Sequence, residues 1–260
     1  MSAPGGSAGV EPGVSGKPLP RLCQEFDAVF FDLVGTLIRS KESIGEQYAA
    51  WARRFGAQTA DAHQLGAAFR DAMRQAPPMA FPGVGLEAVA AAEREWWREL
   101  VRWVVGTAQL GGVLAGETFE RFFSALYQHF TTAAAWEAYP DVAPALQALH
   151  LRGVTVGLIT NYDTRVYAVL DALDLSDLLD SVTIPALAGA AKPDPLIFAH
   201  ALQAHLLEPA RCLYVGDEIV DDYTGSEGAG MVPVLLDREG KHEGKGFRRI
   251  GSLDELVTQL

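Results

Sequence analysis

The strongest constraint on this chain is a repeated pairing of a short apolar run with a chemically competent residue at its end. Residues Ala28–Leu33 read AVFFDL, apolar except for Asp32, and run into Val34-Gly35-Thr36. Val154–Thr160 (VTVGLIT) ends in a hydroxyl with Asn161 beside it, and Leu213–Gly216 (LYVG) is followed by Asp217. Val232–Leu236 (VPVLL) is a further run, and Val182–Pro185 (VTIP) a weaker one. Runs that are apolar without alternation are the mark of parallel strands buried on both faces.

Helical patterns fill the gaps between these runs. Val142, Leu146 and Leu149 share a face closed by Gly153; Val166, Leu170 and Leu173 form the next, and Ile197, Ala201 and Ala204 another. Strand and helix alternating through the second half predict an α/β protein, a Rossmann-like parallel sheet with helices on both sides. From about Lys41 to Trp136 only helical periods occur: Ile44, Tyr48, Trp51 and Phe55; Leu65, Phe69 and Met73; Trp96, Trp97, Leu100, Val101 and Val104; Phe122, Phe123, Leu126, Tyr127 and Phe130. All five tryptophans lie in this stretch. It reads as an all-helical subdomain with its own aromatic core, inserted after the first strand. The expected division is a disordered tail over 1–20, an α/β core from 21–40 and 137–260, and a helical insertion over 41–136.

Composition narrows the function. The chain has 260 residues, of which 49% are hydrophobic, enough for a core with an inserted subdomain. No apolar run approaches the ~20 residues of a membrane span. A net charge of −12 repels a phosphate backbone, so no nucleic-acid partner and no membrane partner are expected. Cys23 and Cys212 have no metal-like spacing and suit a reducing compartment. The Gly/Ser/Pro-rich start lacks an apolar h-region, so the expected location is cytoplasmic. The histidines include no i, i+4 pair, which argues against histidine ligation of a metal.

In an open parallel sheet, ligands bind beyond the carboxyl ends of the strands. That rim receives Asp32, Gly35 and Thr36 from the first run, and Thr160 and Asn161 from the second. Lys192 follows the weaker strand, just before Pro193-Asp194-Pro195, and Asp217 comes with Asp221 and Asp222 one turn later. A carboxylate can act as a nucleophile in phosphoryl transfer. Hydroxyl, amide and ammonium groups stabilise the oxygens of the transferred group. Facing carboxylates call for a hard cation such as Mg²⁺.

The order DxxGT, a strand ending in Thr-Asn, Lys-Pro-Asp-Pro and then GDxxxDD resembles the haloacid dehalogenase superfamily of hydrolases, over residues 28 to about 240. The resemblance implies a Mg²⁺-dependent phosphatase acting on a small phosphorylated metabolite. It makes Asp32 the nucleophile and a metal ligand, with Val34 giving its backbone carbonyl to the metal. It gives Thr160 and the Asn161 backbone to phosphate, with Gly35 and Thr36 in the same loop system, and makes Lys192 the phosphate clamp. Asp217 becomes the metal-binding acid, and Asp222 the acid that holds a metal-bound water or Lys192, with Asp221 as the competing inward acid. The insertion corresponds to the cap called C1. Only 31 residues separate Thr160 from Lys192, which leaves the other cap position essentially empty.

One departure bears on rate. Phosphatases of this superfamily carry an aspartate two residues after the nucleophile, as general acid and base. Here that residue is Val34, which implies slow turnover unless Glu218, Asp221 or a cap residue substitutes, since such catalysis is worth about 10²–10⁴-fold. Two other readings share the fold: a 2-haloacid dehalogenase-type hydrolase, whose halide leaves unprotonated, and a non-catalytic binder of phosphate and metal. The aromatic residues of the insertion read as cap core, and Lys241–Arg249 as a solvated loop.

Overall fold

The computed structural model describes residues 26–259, so the expected tail and Cys23 lie outside the described residues. The expected runs form strands. β1 is Ala28–Phe31, β4 Thr155–Ile159, β5 Ser181–Thr183, β6 Cys212–Gly216 and β7 Val232–Leu236. With β8, Arg249–Ile250, they make a six-stranded parallel sheet in the order β5-β4-β1-β6-β7-β8. β1 is central, with Phe31 in register with Leu158 on one side and Val215 on the other. Alternate residues of β1 enter different cores. Val29 and Phe31 join the large cluster on one face, while Ala28 and Phe30 join Phe198, Cys212 and Tyr214 on the other.

Four helices fill the insertion: α1 Ile44–Arg54, α2 Ala62–Gln75, α3 Leu86–Thr107 and α4 Gly116–His129. α1 starts at a capping box in which the Ser43 and Glu46 side chains each bond the other's backbone N–H. The Asp61 carboxylate caps α2 by accepting from the Gln64 N–H at 2.7 Å. The core helices are α5 Val142–Leu151, α6 Val166–Ala172, the short α7 Pro185–Ala188, α8 Pro195–Ala204, α9 Gly225–Gly228 and α10 Leu253–Thr258. Among the described residues no helix is long and apolar enough to cross a membrane.

One feature departs from the sequence-based expectation. Trp136 belongs to a strand: β2, Ile38–Ser40, pairs antiparallel with β3, Trp136–Ala138, as a ribbon through which the chain enters and leaves the helical insertion. Gln47 ties α1 to this ribbon by donating to the Ser40 hydroxyl at 2.6 Å and the Ala135 carbonyl at 3.4 Å. The stretch Lys241–Arg249 is largely an exposed loop, as expected, anchored at its start. The Asp237 carboxylate accepts from the Lys241 and His242 N–H groups at 2.8 Å each, and the segment closes on β8.

Candidate functional site

Three strands deliver their terminal residues to one rim, where β1 parts β4 from β6. Asp32 follows β1, and its N–H continues the ladder by donating to the Val215 carbonyl at 2.9 Å. Its carboxylate Oδ1 accepts from the Lys192 ammonium at 2.6 Å. The same Nζ reaches Asp222 Oδ1 at 2.6 Å and the Tyr214 hydroxyl at 2.9 Å. Lys192, 5% exposed, comes from the segment between α7 and α8. Its backbone is held on both sides by one amide: Lys192 N–H donates to Asn161 Oδ1 at 2.7 Å, and Asn161 Nδ2 donates to the Lys192 carbonyl at 3.0 Å. Asn161 is therefore the residue that places the lysine.

The adjacent acids at 221 and 222 have different roles. Residues Ile219–Thr224 form a π-helical turn in which the Tyr223 N–H bonds the Glu218 carbonyl, five residues back, at 3.1 Å. This widened turn carries Asp222 inward, where it is 1% exposed and also accepts from the Glu218 N–H at 2.9 Å. Asp221 stays half-buried and accepts from Asn161 at 3.3 Å. Gly216 permits this packing, because a Cβ there would collide with the Asp222 carboxyl.

Asp217 stands just past β6 and accepts from the Thr36 hydroxyl at 3.2 Å. Thr36, fully buried, thus serves the acid instead of facing a substrate. Gly35 has φ +95° and passes so close that a Cβ would overlap the Asp217 carboxylate. Oxygens of Asp32, Asp217 and Asp222 lie within 4.8 Å of one another. Burial pushes the carboxyls of Asp32 and Asp217 up, to about 6 and about 7, and each is raised further by the Asp222 charge. For Asp32 the Lys192 ammonium opposes that rise. Burial disfavours the Lys192 ammonium, but Asp32 and Asp222 outweigh it and hold the lysine charged. The one ammonium is shared by Asp32 and Asp222, and among the described residues Asp217 has no cationic partner, which leaves negative charge unbalanced. An all-oxygen set of this kind fits a small hard cation.

Above these groups lies a cavity of about 410 Å³. Its floor includes Asp32, Thr160 and Lys192, and Val34 lines it at 40% exposure. The walls come from the insertion and are aromatic, with Tyr48, Phe69, Trp97, Phe123 and Phe130 joined by Trp136 of the ribbon. Trp136 belongs to the core the sequence suggested and Trp97 packs against it, and both also line the cavity. Helical periodicity identifies a shared face but not whether that face meets a neighbour or a void.

The insertion is bonded to the core beside this cavity. Trp97 Nε1 donates to Asp163 Oδ2 at 2.5 Å, and the Glu93 carboxylate accepts from the Thr164 N–H at 3.1 Å. Arg165 donates to the Tyr127 carbonyl at 3.1 Å, and the Tyr162 hydroxyl to the Phe130 carbonyl at 3.1 Å. Sequence reasoning missed Tyr214, Asp163 and Arg165 as parts of the site. Tyr214 was hidden as one letter in an apolar strand, and its only signal was a hydroxyl where full burial was expected.

Comparison with known proteins agrees with this geometry. Residues 26–230 match the haloacid dehalogenase-like hydrolase family. The chain is 33% identical over 206 residues to haloacid dehalogenase-like hydrolase domain-containing protein 3 of Mus musculus, covering 79% of this chain and 80% of the mouse protein. It is 36% identical over 123 residues to phosphatase MT3486 of Mycobacterium tuberculosis, covering 46% of this chain and 56% of that protein. Its fold is similar to that of the L-2-haloacid dehalogenase of Xanthobacter autotrophicus, with a TM-score of 0.66 at 18% identity over 90% of this chain and 97% of the other. The sheet order, the residues gathered at its rim and the sequence match together place this chain in the haloacid dehalogenase-like hydrolase family.

Proposed function

We propose that the protein is a Mg²⁺-dependent hydrolase of phosphate monoesters of small metabolites, working through an aspartyl-phosphate on Asp32. The observation that carries this reading is the cluster of Asp32, Asp217 and Asp222, two of them paired with one buried ammonium, at a cavity that Asp32, Asp222 and Lys192 line. The phosphatase name of the mycobacterial relative points the same way. In the first step an Asp32 oxygen attacks phosphorus and the bond to the leaving oxygen breaks, giving the alcohol after it gains a proton. In the second, water attacks phosphorus and releases inorganic phosphate and free Asp32. Thr160 donates to the phosphoryl oxygens and Lys192 holds charge beside them. Asp222 keeps Lys192 in position. Asp32, Asp217 and the Val34 carbonyl would hold Mg²⁺, whose chemistry there is to offset the negative charge of the phosphoryl group. The insertion over 41–136 acts as a C1 cap that shields the reaction from bulk water. Val34 makes turnover of alkyl esters slow, because no carboxyl stands there to protonate the leaving oxygen.

The test is hydrolysis of p-nitrophenyl phosphate, whose leaving group needs little protonation, with and without Mg²⁺. Turnover that requires Mg²⁺ and disappears in Asp32→Asn supports the proposal. Turnover that survives Asp32→Asn removes it. Release of halide from a 2-haloacid without Mg²⁺ would move the assignment to a dehalogenase.

A further inference from the structure

We infer that the cavity above Asp32 is a subsite for an aromatic, uncharged leaving group, and that Tyr48 selects among such groups through one hydrogen bond. The inference rests on the phosphomonoesterase reading above and specifies which esters that site takes.

The charge inventory of the cavity carries the argument. Among the described residues its lining contains two cations, Lys192 and Arg165. Lys192 is occupied by Asp32, Asp222 and Tyr214 on the floor. Arg165, 9% exposed, gives Nε and one terminal nitrogen to Asp163 and the other terminal nitrogen to the Tyr127 carbonyl. Its guanidinium also stacks 3.8 Å from the centre of the Tyr127 ring. No cation is left to receive a second phosphate or a carboxylate in the upper cavity, and burying such an anion unpaired is strongly unfavourable. Glu218 and Asp221, which also line the cavity, repel it further. What the walls offer is aromatic surface, which favours a ring stacked or set edge-on.

Most polar groups in these walls already have partners. Trp97 Nε1 bonds Asp163, Trp136 Nε1 bonds the Phe130 carbonyl at 3.1 Å, and the Ser40 hydroxyl bonds the Glu42 carbonyl. Tyr48 differs. It is 2% exposed, it lines the cavity, and its hydroxyl has no hydrogen-bond partner among the described residues. Its ring is fixed by Phe69 and Phe130, with centroids at 5.6 and 6.1 Å. The hydroxyl is not among the sealed polar atoms without a partner, so it stays open to the cavity and is free to bond a ligand's neutral hydroxyl or carbonyl.

The test uses non-hydrolysable phosphonates on the full chain with Mg²⁺, which separates binding from turnover. Methylphosphonate, benzylphosphonate, 4-carboxybenzylphosphonate and 4-(hydroxymethyl)benzylphosphonate are titrated by calorimetry, each in competition with inorganic phosphate. Benzylphosphonate should bind about 10- to 100-fold tighter than methylphosphonate, the range for burying one aromatic ring. The carboxylate should weaken benzylphosphonate binding by about 10-fold or more. In Tyr48→Phe the preference for the hydroxymethyl ligand over the benzyl one should fall about 3- to 10-fold. Equal binding of the methyl and benzyl ligands, or tighter binding of the carboxylate, overturns the subsite while leaving the phosphate site standing. An unchanged preference in Tyr48→Phe overturns the role of Tyr48. Failure of inorganic phosphate and every phosphonate to bind overturns the phosphatase reading with it.

Discussion

Gly35 and Asp217 are packed so closely that no side chain fits between them: a Cβ on the glycine would overlap the carboxylate, and its φ of +95° already disfavours one. The relationship joins the loop after β1 to the end of β6 and sets how near Asp217 stands to Asp32. Gly35→Ala is therefore expected to cost about 1–3 kcal/mol of stability, the range for strained backbone. It should also weaken Mg²⁺ binding by displacing Asp217. Urea unfolding and a Mg²⁺ titration followed by calorimetry check both parts.

Lys192 is the counter-ion of two buried carboxylates, at 2.6 Å from each. Removing one partner of such a buried pair leaves uncompensated charge and costs about 3–5 kcal/mol. Lys192→Met should lose that much in denaturant unfolding, and adding Asp222→Asn should restore part of it. The double variant staying as unstable as the single one would mean that Asp222 does not depend on the lysine.

The carboxyls of Asp32 and Asp217 stand at about 6 and about 7, against 3.8 for a free aspartate, chiefly through burial. Both are raised, so the native state keeps protons that the unfolded chain has released. Their contribution to stability is complete below pH 3.8 and is lost as the pH rises through 6 to 7. Without metal, Tm should carry a downward component across that window. Mg²⁺ takes the place of the protons, so its increment in Tm should be larger at about pH 8 than at about pH 5. A thermal melt series at several pH values with and without Mg²⁺ reads this, and an increment that shrinks as pH rises would contradict it.

Val34 lines the cavity beside Asp32 without any group that exchanges a proton. Val34→Asp should raise kcat on an alkyl phosphate by about 10²-fold, the lower end of what general acid–base catalysis supplies. On p-nitrophenyl phosphate the gain should be much smaller, because its leaving group departs as the anion. A similar gain on both substrates would show that the substitution acts on binding.

Where the sequence was legible, a local pattern coincided with a topological rule. β1, β4, β6 and β7 are apolar on both faces because the sheet is covered on both sides, and each run therefore stood out whole. Once those runs were strands of a parallel sheet, Asp32, Thr160 and Asp217 had to share a rim. The features that stayed hidden depend on geometry with no local pattern. β2 and β3 are three residues each and carry Arg39 and Glu137, too short and too polar to read as strands. The resemblance favours Asp222 over Asp221, but the π-helical hydrogen bond that turns Asp222 inward leaves no local pattern. Thr36 sits where the motif placed it, but its hydroxyl goes to Asp217. Tyr48 falls on the same helical face as Ile44, and only the packing of α1 against α2 and α4 shows that this face meets a cavity.

The account stands or falls on whether Asp32 carries the phosphoryl group. Turnover of p-nitrophenyl phosphate in Mg²⁺, quenched within its first cycles and reduced with borohydride, would convert an aspartyl-phosphate to homoserine, which peptide mass spectrometry locates. The account predicts that modification at position 32, dependent on both substrate and Mg²⁺. Steady turnover with Asp32 unmodified, and undiminished in Asp32→Asn, would contradict it.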